Sequence, residues 1–396
     1  MNLVANLISQ ERQVQSNKFL DFLALDKKLV FFGAGAFVES VLINHKNPYA
    51  FDYSTLHVDY LCDNDKRKVG CTLFDIPIIS FEELLIIKNH VKVAITTIPH
   101  YYEVMRQLKQ HDFPHILECE IDITRNLQYF PIQYTLFSCS EWMKDLYNSV
   151  FRDKDELISL YETLEDDLSR QTLLGVIRSR LDFNLVHIRR IARSAPGYFD
   201  EDFFEFDEDE VLVDIGAFIG DSIIDFNIHT EGKWRYIYAF EAEDRLYRRL
   251  SENICTFPNP KRIKLENAAV CNHNGEIYLS IDNEHDIIAR SNISDKGTQK
   301  VLGIRLDDYG FDDLLGSKVT LIKIDIEGAE IKALTGAIEV IRTHCPNLAI
   351  SIYHKSDDIW RIPKLIKSIN PMYKLYMRHR GQYFTETILY AIIPKT

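Results

Sequence analysis

The stretch EVLVDIGAFIGDSIIDF, Glu210 to Phe226, decides the fold. Val211 to Ile215 is a β-branched, apolar run of strand length. Gly216 and Gly220 break that run, and SIIDF continues with helical spacing. A strand, a glycine turn and a helix in this order open a parallel α/β sheet. The glycines permit a tight turn and a close approach of backbone to ligand. A second such unit, KLVFFGAGAFVESVL, begins at Lys28. It has Gly33 and Gly35, but Val38 stands where the third glycine of a dinucleotide loop belongs.

Working outward from these two units divides the chain. After the first come LHVDYLCDND, IPIISFEELL and VKVAITTIPHYYEVMRQLKQHDF, which read as alternating strands and helices. They predict a small Rossmann-like domain over residues 28–118, preceded by a helical segment, 1–27. Asp63 and Asp65 stand near the position of a ribose-binding acid in that domain. A nucleotide or nucleotide-linked sugar is the natural ligand, and a packing domain without ligand is the equal alternative. Strand signals fade over 119–205, where ELISLYETLEDDLSRQTLLGVIRSRLDFNLVHIRRIA predicts a pair of bridging helices. Pro196, Gly197 and the acidic run Asp200 to Glu210 read as a solvated loop. From 206 to 396, YIYAFEAED, IKLENAAVC, GEIYLSID, LIKIDIEGAEIKALTGAIEVI, NLAISIYH, YKLYMRH and TETILYAII supply a second sheet. Its last two strands are close enough in sequence to be an antiparallel pair. The fold class expected is thus α/β, with two Rossmann-like parallel-sheet domains joined by a helical segment.

Composition narrows the function. The net charge of −13 over 396 residues repels phosphate backbones, which argues against nucleic-acid partners. No apolar run approaches the ~18 residues of a membrane span. The seven cysteines form no C-x-x-C pair, which suits neither zinc nor a disulfide framework and fits reduced thiols in the cytoplasm. Oligomeric state is left open.

Three positions carry chemistry. Glu241 ends the next strand, about 20 residues after the glycine loop, where a carboxylate accepts both ribose hydroxyls of an adenosine ligand. LIKIDIEGAE places Lys323 and Asp325 on one face of a strand, with Glu327 and Glu330 just beyond. Asp325 can orient an acceptor, act as a base or bind a divalent cation; the plain alternative is a buried Lys323–Asp325 ion pair. His354, after NLAISIYH, is placed to take a proton as a neutral imidazole. His379 is a weaker candidate, because Arg378 and Arg380 beside it suit an anion. Asp307 and Asp308 offer further oxygens for a cation, although Asp-Asp before Tyr-Gly is equally a turn. No metal is assigned at this stage.

Taken together, DIGAFIGDS, AFEAED, ENAAV, LDD and LIKIDIEGAE, with ISIYHKSDDIWRIPKLI and YKLYMRHRGQYFTETILYA, resemble the FkbM family of methyltransferases. The resemblance covers residues 198 to 396. It implies a class I methyltransferase fold whose final strand inserts antiparallel, S-adenosylmethionine as cofactor, and O-methylation of a sugar or glycan-related small molecule. The resemblance puts Asp214, Gly216, Ala217, Phe218, Gly220, Asp221 and Ser222 in the cofactor loop. Glu241 would hold the ribose, Ala242 would also line the cofactor, Asn267 and Ala268 would flank the adenine, and Asp325 would face the methyl group. The rival classes are an NAD(P)-dependent or nucleotide-sugar-binding Rossmann protein and an inactive scaffold. None of the twenty tyrosines has a lysine four places on, which removes the short-chain dehydrogenase pair.

Overall fold

The computed structural model describes residues 3–11, 22, 24–35, 57–97, 100–117, 141–182, 185–193, 197–281, 291–293, 297, 299–311, 318–381 and 384–394. Val38, Pro196, Cys119 and Cys139 lie outside the described residues, as does the stretch 118–140 at the start of the expected linker. The chain separates into two compact units, one of residues 7–148 with 180–183, the other of 1–6, 149–179 and 184–396. Among the described residues no helix is long and apolar enough to cross a membrane.

In the first unit, β1 (Lys28–Phe32), β2 (Tyr60–Cys62), β3 (Thr72–Leu73), β4 (Ile76–Ile79), β5 (Val91–Ile95) and β6 (Ile116–Leu117) form one sheet, ordered β3-β4-β2-β1-β5-β6. Leu29, Phe31 and Ala94 pack on one face, and Val30, Phe32 and Val93 on the other. That alternation explains why β1 and β5 are apolar apart from Lys28 and Lys92, as strands buried on both sides are. At Gly33 (φ +124°) an added Cβ would lie 2.8 Å from the Thr97 backbone nitrogen, so this glycine answers close packing. Asp63 is engaged inside the unit: its Oδ2 accepts from the Ala34 N–H at 2.9 Å and the Lys68 ammonium at 2.8 Å.

The second unit holds a seven-stranded sheet of β7 (Val211–Ile215), β8 (Tyr236–Phe240), β9 (Ile263–Glu266), β14 (Leu321–Ile324), β15 (Asn347–Ser351), β16 (Lys374–His379) and β17 (Thr387–Ile392). The order is β16-β17-β15-β14-β7-β8-β9. Five strands are mutually parallel, and β17 runs antiparallel between β15 and β16. This is the class I methyltransferase arrangement expected from the sequence. Leu212, Ile237, Ala239, Leu321 and Ala349 pack with Phe199, Phe226 and Trp234 in the main core.

Two features were not visible in the sequence. The run IKLENAAVC is two strands, not one. β9 ends at Glu266, and after Asn267 β10 (Ala268–Val270) leaves for a separate four-stranded sheet with β11 (Gly275–Ile281), β12 (Ser291–Ile293) and β13 (Gln299–Ile304). The stretch expected as two bridging helices contains three, Lys154–Thr163, Asp167–Asp182 and Leu185–Ile191. Residues between, within and after them cover the outer edge of β16. Glu165 N donates to Leu375 O at 3.0 Å, Arg193 N donates to His379 O at 2.9 Å, and Met377 N donates to Ser169 Oγ at 2.8 Å.

Candidate active site

The registers of β8, β7, β14 and β15 align their carboxyl ends. Ile215 pairs with Phe240 and with Ile324, and Ile324 pairs with Ile350. The loops leaving these four strands share one end of the sheet, which is where ligands of open α/β sheets bind.

The loop after β7 is built by its own backbone limits. Gly216 (φ +82°) lies so close to the loop after β14 that a Cβ would stand 1.9 Å from the Asp325 carbonyl oxygen. Phe218 (φ +49°) and Gly220 (φ +96°) also take left-handed backbone. Gly220 caps the helix Asp221–His229, so the loop delivers a helix N-terminus to the strand ends. Beneath it, buried Asp214 accepts from Ser222 Oγ and pairs with Lys323 Nζ at 3.0 Å. The same ammonium donates to the Gly216 carbonyl at 2.5 Å. Burial alone would lower the Lys323 pKa, but Asp214 and Asp325 outweigh it and raise it. Lys323 thus braces the loop, and its ion-pair partner is Asp214.

Glu241, just past β8, is buried. Its Oε2 accepts from Phe218 N and its Oε1 from Glu243 N, each at 2.9 Å. Burial pushes its carboxyl up to about 7. Asn267 donates to the Glu241 carbonyl at 3.0 Å, and Gln299 donates to the Ala242 carbonyl at 3.1 Å. The sequence-predicted residues from Asp214 to Asn267 therefore meet around one loop. Ala268, next to Asn267, already belongs to the second sheet.

Beyond β14 the chain turns through Glu327 (φ +53°) and Gly328 (φ +94°). The carboxylate of fully buried Glu330 holds this turn, accepting from Ile326 N at 3.1 Å and Gly328 N at 3.3 Å. Its Oε1 also meets His354 Nδ1 at 2.9 Å. The other face of the imidazole is acidic too: Nε2 lies 3.3 Å from Asp325 Oδ1 and 3.4 Å from Glu327 Oε2. The expectation of a neutral imidazole near pH 7 does not survive this environment. Burial alone would lower the His354 pKa, but Glu330, Asp325 and Glu327 raise it to about 9. The ring therefore carries its proton at neutral pH and has no room for another.

Residues 214–383 match the model of the methyltransferase FkbM domain. A solved structure, methyltransferase FkbM from Methylobacillus flagellatus KT, is 22% identical, with 98% of each chain covered and a TM-score of 0.71. At that identity the likeness is one of fold, and it extends along almost the whole chain. A putative rRNA-methylase from Clostridium thermocellum is 13% identical over 49% of this chain and 91% of its own, at a TM-score of 0.31. No curated protein matches the sequence.

Two residues of the site were not singled out in the sequence. Tyr198 sits just ahead of the FkbM domain. Its hydroxyl donates to Asp325 Oδ2 at 2.5 Å and lies 3.2 Å from Ser351 Oγ, while Lys323 Nζ stands 5.0 Å over its ring. Burial first, then Asp325, raises the Tyr198 phenol well above its ordinary value. Asp358 is buried next to Glu330 and pushed up to about 7, by burial first and then by Glu330.

Other candidates have structural partners. Asp307 Oδ1 accepts from Glu339 N and Val340 N, and Asp308 pairs with Arg305, so both serve the turn. Arg378 and Arg380 were expected to contact an anion. They are spent on Asp166 and Asp200 at 2.8 and 3.0 Å. His379 is buried against Thr387 Oγ1 at 2.8 Å.

Proposed function

We propose that the protein transfers the methyl group of S-adenosylmethionine to a hydroxyl of a small acceptor, a sugar or glycan-related molecule by its family resemblance. The observation that carries this reading is the alignment of the Asp214–Ser222 loop, Glu241 and Asp325 at the carboxyl ends of adjacent strands. Glu241 receives the ribose hydroxyls of the donor, and its two backbone bonds fix it for that task. Gly216, Ala217, Phe218 and Gly220 let the loop follow the donor, and Asn267 borders the adenine.

Methyl transfer is an in-line displacement, so most of the catalysis comes from holding donor and acceptor in line. Asp325 sits against Gly216, which places the acceptor acid beside the donor loop. Its side chain is 25% exposed, so an acceptor reaches it. Tyr198 fixes Oδ2 and the His354 imidazolium faces Oδ1, so Asp325 is the group that orients the acceptor hydroxyl and takes its proton as the methyl arrives.

The test is calorimetric titration of the whole chain with S-adenosylmethionine and with NAD, followed by methyl transfer to a panel of sugars and sugar nucleotides. Saturable binding of the sulfonium donor and not of NAD is expected. NAD binding without donor binding would overturn the reading.

A further inference from the structure

We propose that Gln299 recognises the adenine of the donor, its side-chain oxygen accepting from the 6-amino group of the base. The inference rests on the reading that the Asp214–Ser222 loop and Glu241 hold S-adenosylmethionine. It gives the separate four-stranded sheet a task in that site, to select an adenosine donor over other nucleosides.

The chain passes from the ribose acid to this sheet in one residue. Ala242, next after Glu241, packs against Ala269, Cys271, Ile277, Leu279 and Val301 of the four-stranded sheet. Apolar surface with a few placed polar groups is the usual make-up of a small-molecule site. Here the polar groups are side-chain amides that pin the two carbonyls. Asn267 Nδ2 donates to Glu241 O at 3.0 Å, and Gln299 Nε2 donates to Ala242 O at 3.1 Å. The two amides are not equivalent. Asn267 holds the residue that carries the ribose acid, and it reaches Ala242 O only at 3.5 Å. Gln299 holds the next residue, on the side of the base.

The direction of the Gln299 amide follows from its partner. A carbonyl only accepts, so the amino end of the amide faces Ala242 and Oε1 is left as an acceptor. That oxygen makes no hydrogen bond among the described residues, and Gln299 is half-buried. Its place is set by the sheet. Gln299 pairs with Leu279 at the start of β13. Gly297, just before it, lies against the same strand, where a Cβ would stand 2.4 Å from the Leu279 carbonyl oxygen. A fixed acceptor suits adenine, whose 6-amino group donates. It opposes a 6-oxo purine, whose oxygen also accepts. A site built on such a bond rejects the analogue that lacks it, because its own polar group is then left unpaired.

The probes are S-adenosylhomocysteine and S-inosylhomocysteine, which carry a 6-amino and a 6-oxo purine, titrated calorimetrically into the full chain. The adenosyl compound should bind about tenfold or more tightly. Gln299→Met keeps the length of the side chain and removes its polar end, so the preference should shrink to about threefold or less. Glu241→Gln should weaken both ligands and leave their ratio as in wild type. A glutamine that only supported the loop would behave the same way, so a folded Gln299→Met variant with the wild-type ratio overturns the proposal. Gln299→Ala is read in the same terms should the methionine variant fail to fold. A wild-type chain that binds both compounds alike overturns the proposal and leaves the donor reading standing, whereas one that binds neither overturns both.

Discussion

Glu241 shows how one buried carboxylate ties the fold to the donor. Its pKa of about 7 stands above the ordinary 4.5. The fold therefore disfavours its ionised form, and the stability linked to it is complete below about 4.5 and lost as pH rises through 7. Ribose hydroxyls bond best to the ionised form. Donor affinity should therefore rise between pH 6 and 8, and Glu241→Gln should weaken binding by about 1–3 kcal/mol and flatten the profile. Calorimetry at three pH values checks this; a flat wild-type profile would remove Glu241 from the ribose site. Tyr198 gives a complementary prediction. Tyr198→Phe deletes the hydrogen bond to Asp325, so donor affinity should hold while transfer slows by roughly tenfold or more, the worth of a bond to a charged group. An unchanged rate would confine the hydroxyl to packing. Glu241 was legible because strand-end acids follow a fixed spacing. Tyr198 was not, because it comes from a segment 127 residues before Asp325 and nothing local marks it. Its neighbour Asp200 looked like part of a solvated acidic run, yet it pairs with Arg380.

The loop after β7 is the element on which the site depends. Gly216→Ala imposes left-handed strain of about 1–3 kcal/mol, and it drives a methyl group into the Asp325 carbonyl. The expected result is a large fall in melting temperature with loss of donor binding, read by thermal unfolding and titration. An alanine variant of wild-type stability would contradict this packing. The glycine itself was readable as a turn residue. Its clash partner was not, since the contact joins loops of two strands that are adjacent only in the sheet. The split at Asn267 was hidden for a related reason. Both IKLE and AAV have strand composition, and only the side-chain bond from Asn267 to Glu241 O marks the break.

At the level of the whole chain, the sheet and its antiparallel final strand were legible because buried parallel strands are continuously apolar. The extent of the catalytic unit was not, because helical periodicity says nothing about which sheet a helix serves. Residues 149–179 belong with the FkbM domain, and Asp166 is the partner of buried Arg378. A chain beginning near Ser149 should therefore fold and bind the donor. One beginning near Asp182 leaves that arginine only the longer 3.8 Å carboxylate contact, to Asp202, and should be measurably less stable. Denaturant unfolding of the two fragments measures the difference, and equal stabilities would place the helices outside the unit.

The covered edge of β16 has a consequence for how copies of this protein can meet. An uncovered outer strand is a template on which a neighbour's backbone can pair. On this side Glu165, Ser169 and Arg193 already occupy the template. Within the seven-stranded sheet, pairing of a neighbour at β16 is thereby hindered, and the other border of that sheet is β9. The helices of residues 154–191 thus act as a guard against fibrillar self-assembly, and only partial unfolding that lifts them would expose it.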